Sequence, residues 1–165
     1  MIIIPEETLH DQQGMEEAFR IYWEKLFRDN GSTMNAVLKP QQLDCSFENR
    51  TLTLAVKAET WMMNPNNVMH GGITASVADM VMGLVSRYFS GGKITPTIQM
   101  DISYLAPVPN GSTLICRAEL VKAGFNITTA VARLWTAGDP ETPVATATGT
   151  YHVSRHFAPK NLNQA

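Results

Sequence analysis

The chain is poor in the features on which several protein classes depend. It has only two cysteines, Cys45 and Cys116, in 165 residues. The opening Met1-Ile2-Ile3-Ile4-Pro5 lacks a basic lead-in and soon leaves its apolar run, so no secretion signal is expected and the two thiols are read as reduced core-fillers rather than a disulfide. Charged residues make up 17%, the net charge is -2, and the 13 Lys and Arg are scattered. Nucleic acids and membrane surfaces both call for a gathered basic face, so neither is expected as a partner. No stretch approaches the roughly 18 uncharged apolar residues of a membrane span. A cytoplasmic protein is the expectation. His10, His70, His152 and His156 are too dispersed to make a metal site, and no Cys or Glu joins them at ligand spacing. His152 and His156 are read as exposed histidines near the end of the last strand. There is no Gly-x-Gly-x-x-Gly, no Gly-Lys-Ser/Thr phosphate loop and no Gly-x-Ser-x-Gly elbow, so dinucleotide, nucleotide and serine-nucleophile chemistry have no anchor. Neither a metal nor an organic cofactor is expected.

What remains is a globular composition, 44% hydrophobic, in a length that suits one domain. Met15, Phe19, Tyr22, Trp23 and Leu26 recur at helical spacing, predicting an amphipathic helix over about 11–29 that stops at Asn30-Gly31. Two extended stretches, about 35–47 and 51–59, are expected to turn at Glu48-Asn49-Arg50. The Asn-rich segment from Trp61 to Met69 is irregular, with Pro65 against a regular ladder. Gly71 to Phe89 carries only Asp79 and Arg87 as charges and reads as one long, mostly enclosed helix. Its small residues Gly72, Ser76, Gly83 and Ser86 form a stripe with Asp79 that another element or a ligand could approach. Strands then follow at Thr95–Tyr104, Thr113–Ala123, Ile127–Thr136 and Val144–Val153, expected as an antiparallel meander. The class is α+β: six strands curled around one long central helix, with an N-terminal helical segment at 1–34, the main domain at 35–156 and a tail at 157–165.

Two features of this pattern carry chemistry. Asp79 is a carboxylate in an otherwise uncharged apolar setting, which must be paired, hydrogen-bonded or put to use. A structural aspartate bonded to a neighbouring backbone group is the competing reading. His70-Gly71-Gly72 opens the same helix, where paired glycines leave the first N–H groups open and the helix dipole makes them attractive to a developing oxyanion. Asp79 lies eight residues beyond Gly71, roughly 12 Å by helical rise. One chain cannot easily bring both to one reacting atom, so a site using both needs a second copy of the helix.

The run Asn64-(x5)-His70-Gly71-Gly72-(x6)-Asp79 resembles the phenylacetyl-CoA thioesterase-like branch of the hotdog superfamily, the 4-hydroxybenzoyl-CoA thioesterase superfamily. So does the strand Thr97-Ile98-Gln99-Met100-Asp101-Ile102-Ser103-Tyr104-Leu105-Ala106-Pro107. The resemblance covers about residues 40–153, about 70% of the chain. It implies an acyl-CoA thioesterase that releases a free acid and coenzyme A. Asp79 matches the catalytic carboxylate, acting as general base or nucleophile. Gly71 matches the amide that binds the thioester oxygen, in a turn held by His70, with Gly72 and Met63 beside the substrate. Asn64 matches the residue that orients water or thioester, and Thr97 the hydroxyl that holds the attacking water. In the family Asn64 and Gly71 come from one protomer and Asp79 and Thr97 from the other, so a homodimer at least, or a homotetramer, is implied. Lys122, Gly124 and Asn126 fall at a strand corner where family members often meet the nucleotide part of coenzyme A. Asn67 stands where the family often has glycine, and asparagine is the next best residue for a positive φ there. Met62, Met63, Met69, Met80 and Met82 cluster nearby and suit either an adaptable acyl pocket or core. Two other readings stay open on the same fold: a non-catalytic acyl-CoA binder, and a hydratase or dehydratase with His70 as base.

Overall fold

The structure, a computed structural model, describes residues 2–154; His156 and the tail at 157–165 lie outside the described residues. Helix α1 runs Gln12–Asp29. The Asp11 carboxylate caps it by accepting from the Gly14 N–H at 2.7 Å, which satisfies one of the unpaired donors of the first turn. Its apolar face, Met15, Ala18, Phe19, Tyr22 and Leu26, is buried. The stretch expected to be extended from residue 35 instead opens with a short helix, α2 (Met34–Val37). Thr33 starts it, accepting at its carbonyl from Ala36 and Val37. Lys39, at φ 48°, ends it against Pro40, since a residue before proline is driven out of the helical region. Strand β1 therefore begins only at Gln41 and runs to Ser46, and β2 follows at Thr51–Lys57 after a turn in which Arg50 takes φ 53°.

Helix α3 spans Gly71–Phe89, as its composition predicts. The remaining strands are β3 (Thr97–Tyr104), β4 (Thr113–Ala123), β5 (Ile127–Thr136) and β6 (Pro143–His152). All pairings are antiparallel, in the order β1-β2-β4-β5-β6-β3. The expected four-strand meander is thus corrected. Only β4-β5-β6 run as a meander, and β3 lies at the far edge beside β6. Strand β4 is paired on both sides, by β2 and β5, so β3 forms no hairpin with it, and Pro107 and Pro109 lie in the connection between the two. The chain instead crosses over the start of α3. Met69 donates to the Val108 carbonyl at 2.8 Å, and Ala58 and Gly111 bind across the same crossing.

One face of α3 packs on the sheet, with Val77, Val81 and Val85 fully buried against the inner residues of β2, β4, β5 and β6. Cys45 and Cys116 are free, buried thiols. No helix of the described residues is long and apolar enough to cross a membrane. Helix α1 closes the far end of α3, where the Phe19 ring lies 5.7 Å from the Tyr88 ring and the Tyr88 hydroxyl donates to the Thr8 carbonyl at 2.9 Å. Phe19→Ala should therefore cost about 3–5 kcal/mol and release the N-terminal helix first. Urea unfolding followed by hydrogen exchange in α1 would show both effects.

Candidate functional site

Asp79 sits on the one side of α3 that the sheet does not cover, along with Gly72, Ser76 and Gly83, all of which keep some exposure. The stripe read from the sequence ends there, because Ser86 turns inward and is fully buried with no partner for its hydroxyl among the described residues. Thr97, the first residue of β3, donates from Oγ1 to Asp79 Oδ1 at 2.8 Å. A bulge makes this contact possible. Met100, Ile102 and Tyr104 lie opposite Gly149, Ala147 and Ala145 of β6, and Met100 and Ile102 pack against the core. Strict alternation would turn Thr97 to the outer face. The register shift between Thr97 and Gln99 inserts one residue, Ile98, which stands 56% exposed, and so restores Thr97 to the helix side.

A second donor reaches the same oxygen. Tyr151 on β6, 1% exposed, points its hydroxyl at Asp79 Oδ1 at 3.1 Å and lies 3.3 Å from the Asp79 carbonyl oxygen. Burial, and then the facing Asp79 carboxylate, hold this phenol well above its ordinary range, so it stays protonated and donates. Its ring occupies space that only glycine leaves. A Cβ on Gly149 would meet Tyr151 atoms at 2.7 and 2.8 Å. The sequence reading missed Tyr151. It sits in an ordinary-looking strand, and the only hint was Gly149 two residues earlier, a glycine inside a strand that marks close approach of another group.

These groups line a cleft of about 210 Å³ with Gly83, Arg87, Ile94, Thr95 and, from the N-terminal segment, Tyr22 and Asn35. Asn35 donates to the Tyr22 hydroxyl at 3.4 Å. Arg87 gives its Nε to the Gly92 carbonyl at 3.1 Å and another donor to the Ile2 carbonyl. Burial holds its guanidinium below the ordinary range.

The start of α3 faces a different cleft, about 380 Å³, lined by Met69, Gly71, Thr74 and Tyr104 with residues 105–108 and Val144. His70 is the N-cap, and its Nδ1 accepts from the Gly72 N–H at 2.9 Å, which places the ring proton on Nε2. The Gly72 amide is therefore used internally. The Gly71 amide has no acceptor among the described residues, so it is the open donor. Tyr104 closes over it: its hydroxyl donates to the Gly71 carbonyl at 2.9 Å, and its ring would lie 3.3 Å from a Cβ at that position. Asn64 uses Oδ1 to accept from Asn66 N–H at 2.9 Å and Val68 N–H at 3.4 Å, closing the loop that leads into the helix. Its Nδ2 has no partner among the described residues. Asn67 takes φ 58°, the conformation read for it from the sequence.

The structure thus brings Thr97 to Asp79, and sets Asn64, His70 and Gly71 apart from that pair in the second cleft's neighbourhood. Met69 lines the Gly71 cleft and Met80 the Asp79 cleft, Met62 and Met82 are core, and Met63 is half-buried in a bridge to Met69. Lys122, Gly124 and Asn126 line neither cleft. They form the β4–β5 corner at the Tyr151 end of the sheet, where Gly124 N–H donates to the Ile127 carbonyl and the Asn126 carbonyl accepts from Val153. No group of His, Cys, Asp and Glu among the described residues could hold a metal.

The hotdog arrangement, one long helix against a six-stranded antiparallel sheet, agrees with comparisons to known proteins. The family described as the thioesterase superfamily matches residues 66–142. The chain is 34% identical over 79 residues to 1,4-dihydroxy-2-naphthoyl-CoA thioesterase 2 of Arabidopsis thaliana, which covers 48% of this chain and 50% of that protein. It spans half to about three fifths of the length of the curated relatives it matches. Among solved structures, zebrafish thioesterase superfamily member 2 superposes with a TM-score of 0.72 at 19% identity, over 84% of this chain and 97% of that one. The E. coli protein from the phenylacetic acid degradation operon gives 0.67 at 18% identity, over 80% and 92%. These likenesses show the hotdog fold, and residues 66–142, just under half of the chain, are similar to the thioesterase superfamily.

Because the Tyr151 ring fills the space over Gly149, Gly149→Ala should destabilise the protein by about 1–3 kcal/mol, as overpacking does. A lower urea midpoint at an unchanged slope would record it.

Proposed function

We propose that this protein hydrolyses acyl-CoA thioesters to a free acid and coenzyme A, at a site shared between two copies of the chain. The observation that carries this reading is the separation of two complementary half-sites. One holds an oriented carboxylate, Asp79 with Thr97. The other holds an open amide, Gly71, beside Asn64. On a straight α3 they lie roughly 12 Å apart. In a dimer the Gly71 amide of one chain receives the thioester oxygen as it becomes negative. Asp79 of the other chain activates water, or attacks the carbonyl itself, with Thr97 holding the water. Asn64 offers its free Nδ2 from the first side.

The exposed edge of β3 supports the same assembly. Apart from the half-buried Met100 and Ile102, its residues are exposed, and an uncovered edge strand is a ready surface for a second chain. A dimer made there, or a tetramer of such dimers, would set two helices side by side. Two free, buried thiols accord with a cytoplasmic location. The hydratase reading loses ground because His70 spends Nδ1 on capping the helix. A mere binder of acyl-CoA has no use for a carboxylate held by two donors.

Free-thiol release from short, long and aromatic acyl-CoAs tests the reaction. Asp79→Asn should lower kcat by about 10²–10⁴ with the assembly intact; full turnover by that variant would refute the assignment. Subunit mixing tests the sharing. Asp79→Asn and Asn64→Asp chains, each nearly inactive alone, should regain about a quarter of wild-type activity when co-assembled, since half of the dimers are mixed and each mixed dimer has one intact site. No recovery in verified mixed dimers would place all the groups within one chain.

A further inference from the structure

We propose that Tyr151 is a positioning residue for the Asp79 carboxylate: with Thr97 it clamps Oδ1 and leaves Oδ2 as the oxygen that does the chemistry. This rests on the reading of Asp79 as the catalytic carboxylate. Two donors from two strands converge on one atom, Thr97 Oγ1 at 2.8 Å and Tyr151 Oη at 3.1 Å. Oδ2 has no partner among the described residues and is not among the buried unpaired atoms, so it opens to the cleft. A carboxylate held by one donor can still rotate about its Cβ–Cγ bond and exchange its two oxygens. Two donors approaching Oδ1 from β3 and β6 fix the plane of the group, and with it the direction in which Oδ2 presents its lone pairs.

The surroundings of Tyr151 fit such a task. The ring is almost wholly buried, laid over Gly149 on its own strand and close to Gly83 on α3, where a Cβ would come to 3.5 Å. Gly149 leaves the space through which the phenol reaches the helix, and at Gly83 the ring lies at ordinary contact distance. A tyrosine there for packing alone would need no oxygen, and a buried hydroxyl without a carboxylate partner would be a cost. Water bound at Oδ2, or the thioester carbon facing it, then meets an oxygen whose position is set before substrate arrives.

Tyr151→Phe keeps the ring and removes one donor. In the whole chain kcat should fall about tenfold with KM changed by less than about twofold, under conditions where the variant is fully folded. A purely structural role would lower stability and leave kcat of the folded protein unchanged. Gly149→Ala, which retains the hydroxyl but displaces the ring, should lower kcat in the same way with KM little changed. Wild-type kcat in folded Tyr151→Phe would overturn the proposal, as would a loss carried by KM with kcat unchanged. The Asp79→Asn variant separates the two levels. If it keeps turnover, the site itself has been misread; if it loses turnover while Tyr151→Phe behaves as wild type, only the clamp is wrong.

Discussion

The arrangement depends on how a single carboxylate is accommodated between a helix and a sheet. Asp79 is the one acidic residue on α3, a helix whose Val77, Val81 and Val85 are fully buried. A carboxylate at the margin of such an interface must find donors there or remain a standing penalty. The helix cannot supply them, since its own N–H groups are committed to its ladder. They come from the sheet, from Thr97 at the start of β3 and Tyr151 near the end of β6, whose backbones are paired directly opposite each other. The unusual placement of β3 follows the same logic. Were β3 joined to β4 in a hairpin, it would lie away from β6, and Thr97 would not face Tyr151 across a ladder.

Much of this was legible in the sequence, and the reasons are physical. The bounds of α3 could be read because a run of nineteen residues with two charges has few other stable fates. The His-Gly-Gly start and Asp79 could be read because each is costly without a purpose. Thr97 came from the strand that resembles the family's. What could not be read were effects that depend on pairing at long range. Neither the sheet order nor the bulge at Ile98 is visible along the chain, because a bulge leaves the alternation of residue types intact and changes only which face they occupy. The short helix after Gly31 is started by the Thr33 carbonyl and stopped where Lys39 meets Pro40, local contacts that the residue types alone do not announce. Tyr151 was overlooked because its meaning lies in what it touches, not in its neighbours.

The start and the middle of α3 differ in a way that bears on the proposed reaction. At its N-terminus the donors are sorted: His70 takes the Gly72 amide, so the anion-attracting end of the helix is narrowed to the Gly71 N–H. Two open amides would let an oxyanion settle in more than one place. One open amide, with Tyr104 holding the adjoining carbonyl, fixes a single direction of approach. In the middle of the helix, Oδ1 is engaged and Oδ2 is open. Each half-site therefore presents one free atom, a donor in one cleft and an acceptor in the other, with the competing atoms already occupied.

That pairing is why the shared site proposed above suits this fold better than a site within one chain. Donor and acceptor both belong to the same rigid helix, so no side-chain movement can bring them together across two turns. Bending α3 would open the buried contact with the sheet along its whole length. Setting a second helix alongside costs none of that contact, and antiparallel helices place the start of each beside the middle of the other. The rigidity that buries the core thus keeps the Gly71 amide and the Asp79 carboxylate apart, and for the proposed reaction a two-fold axis is the least disruptive way to bring them together.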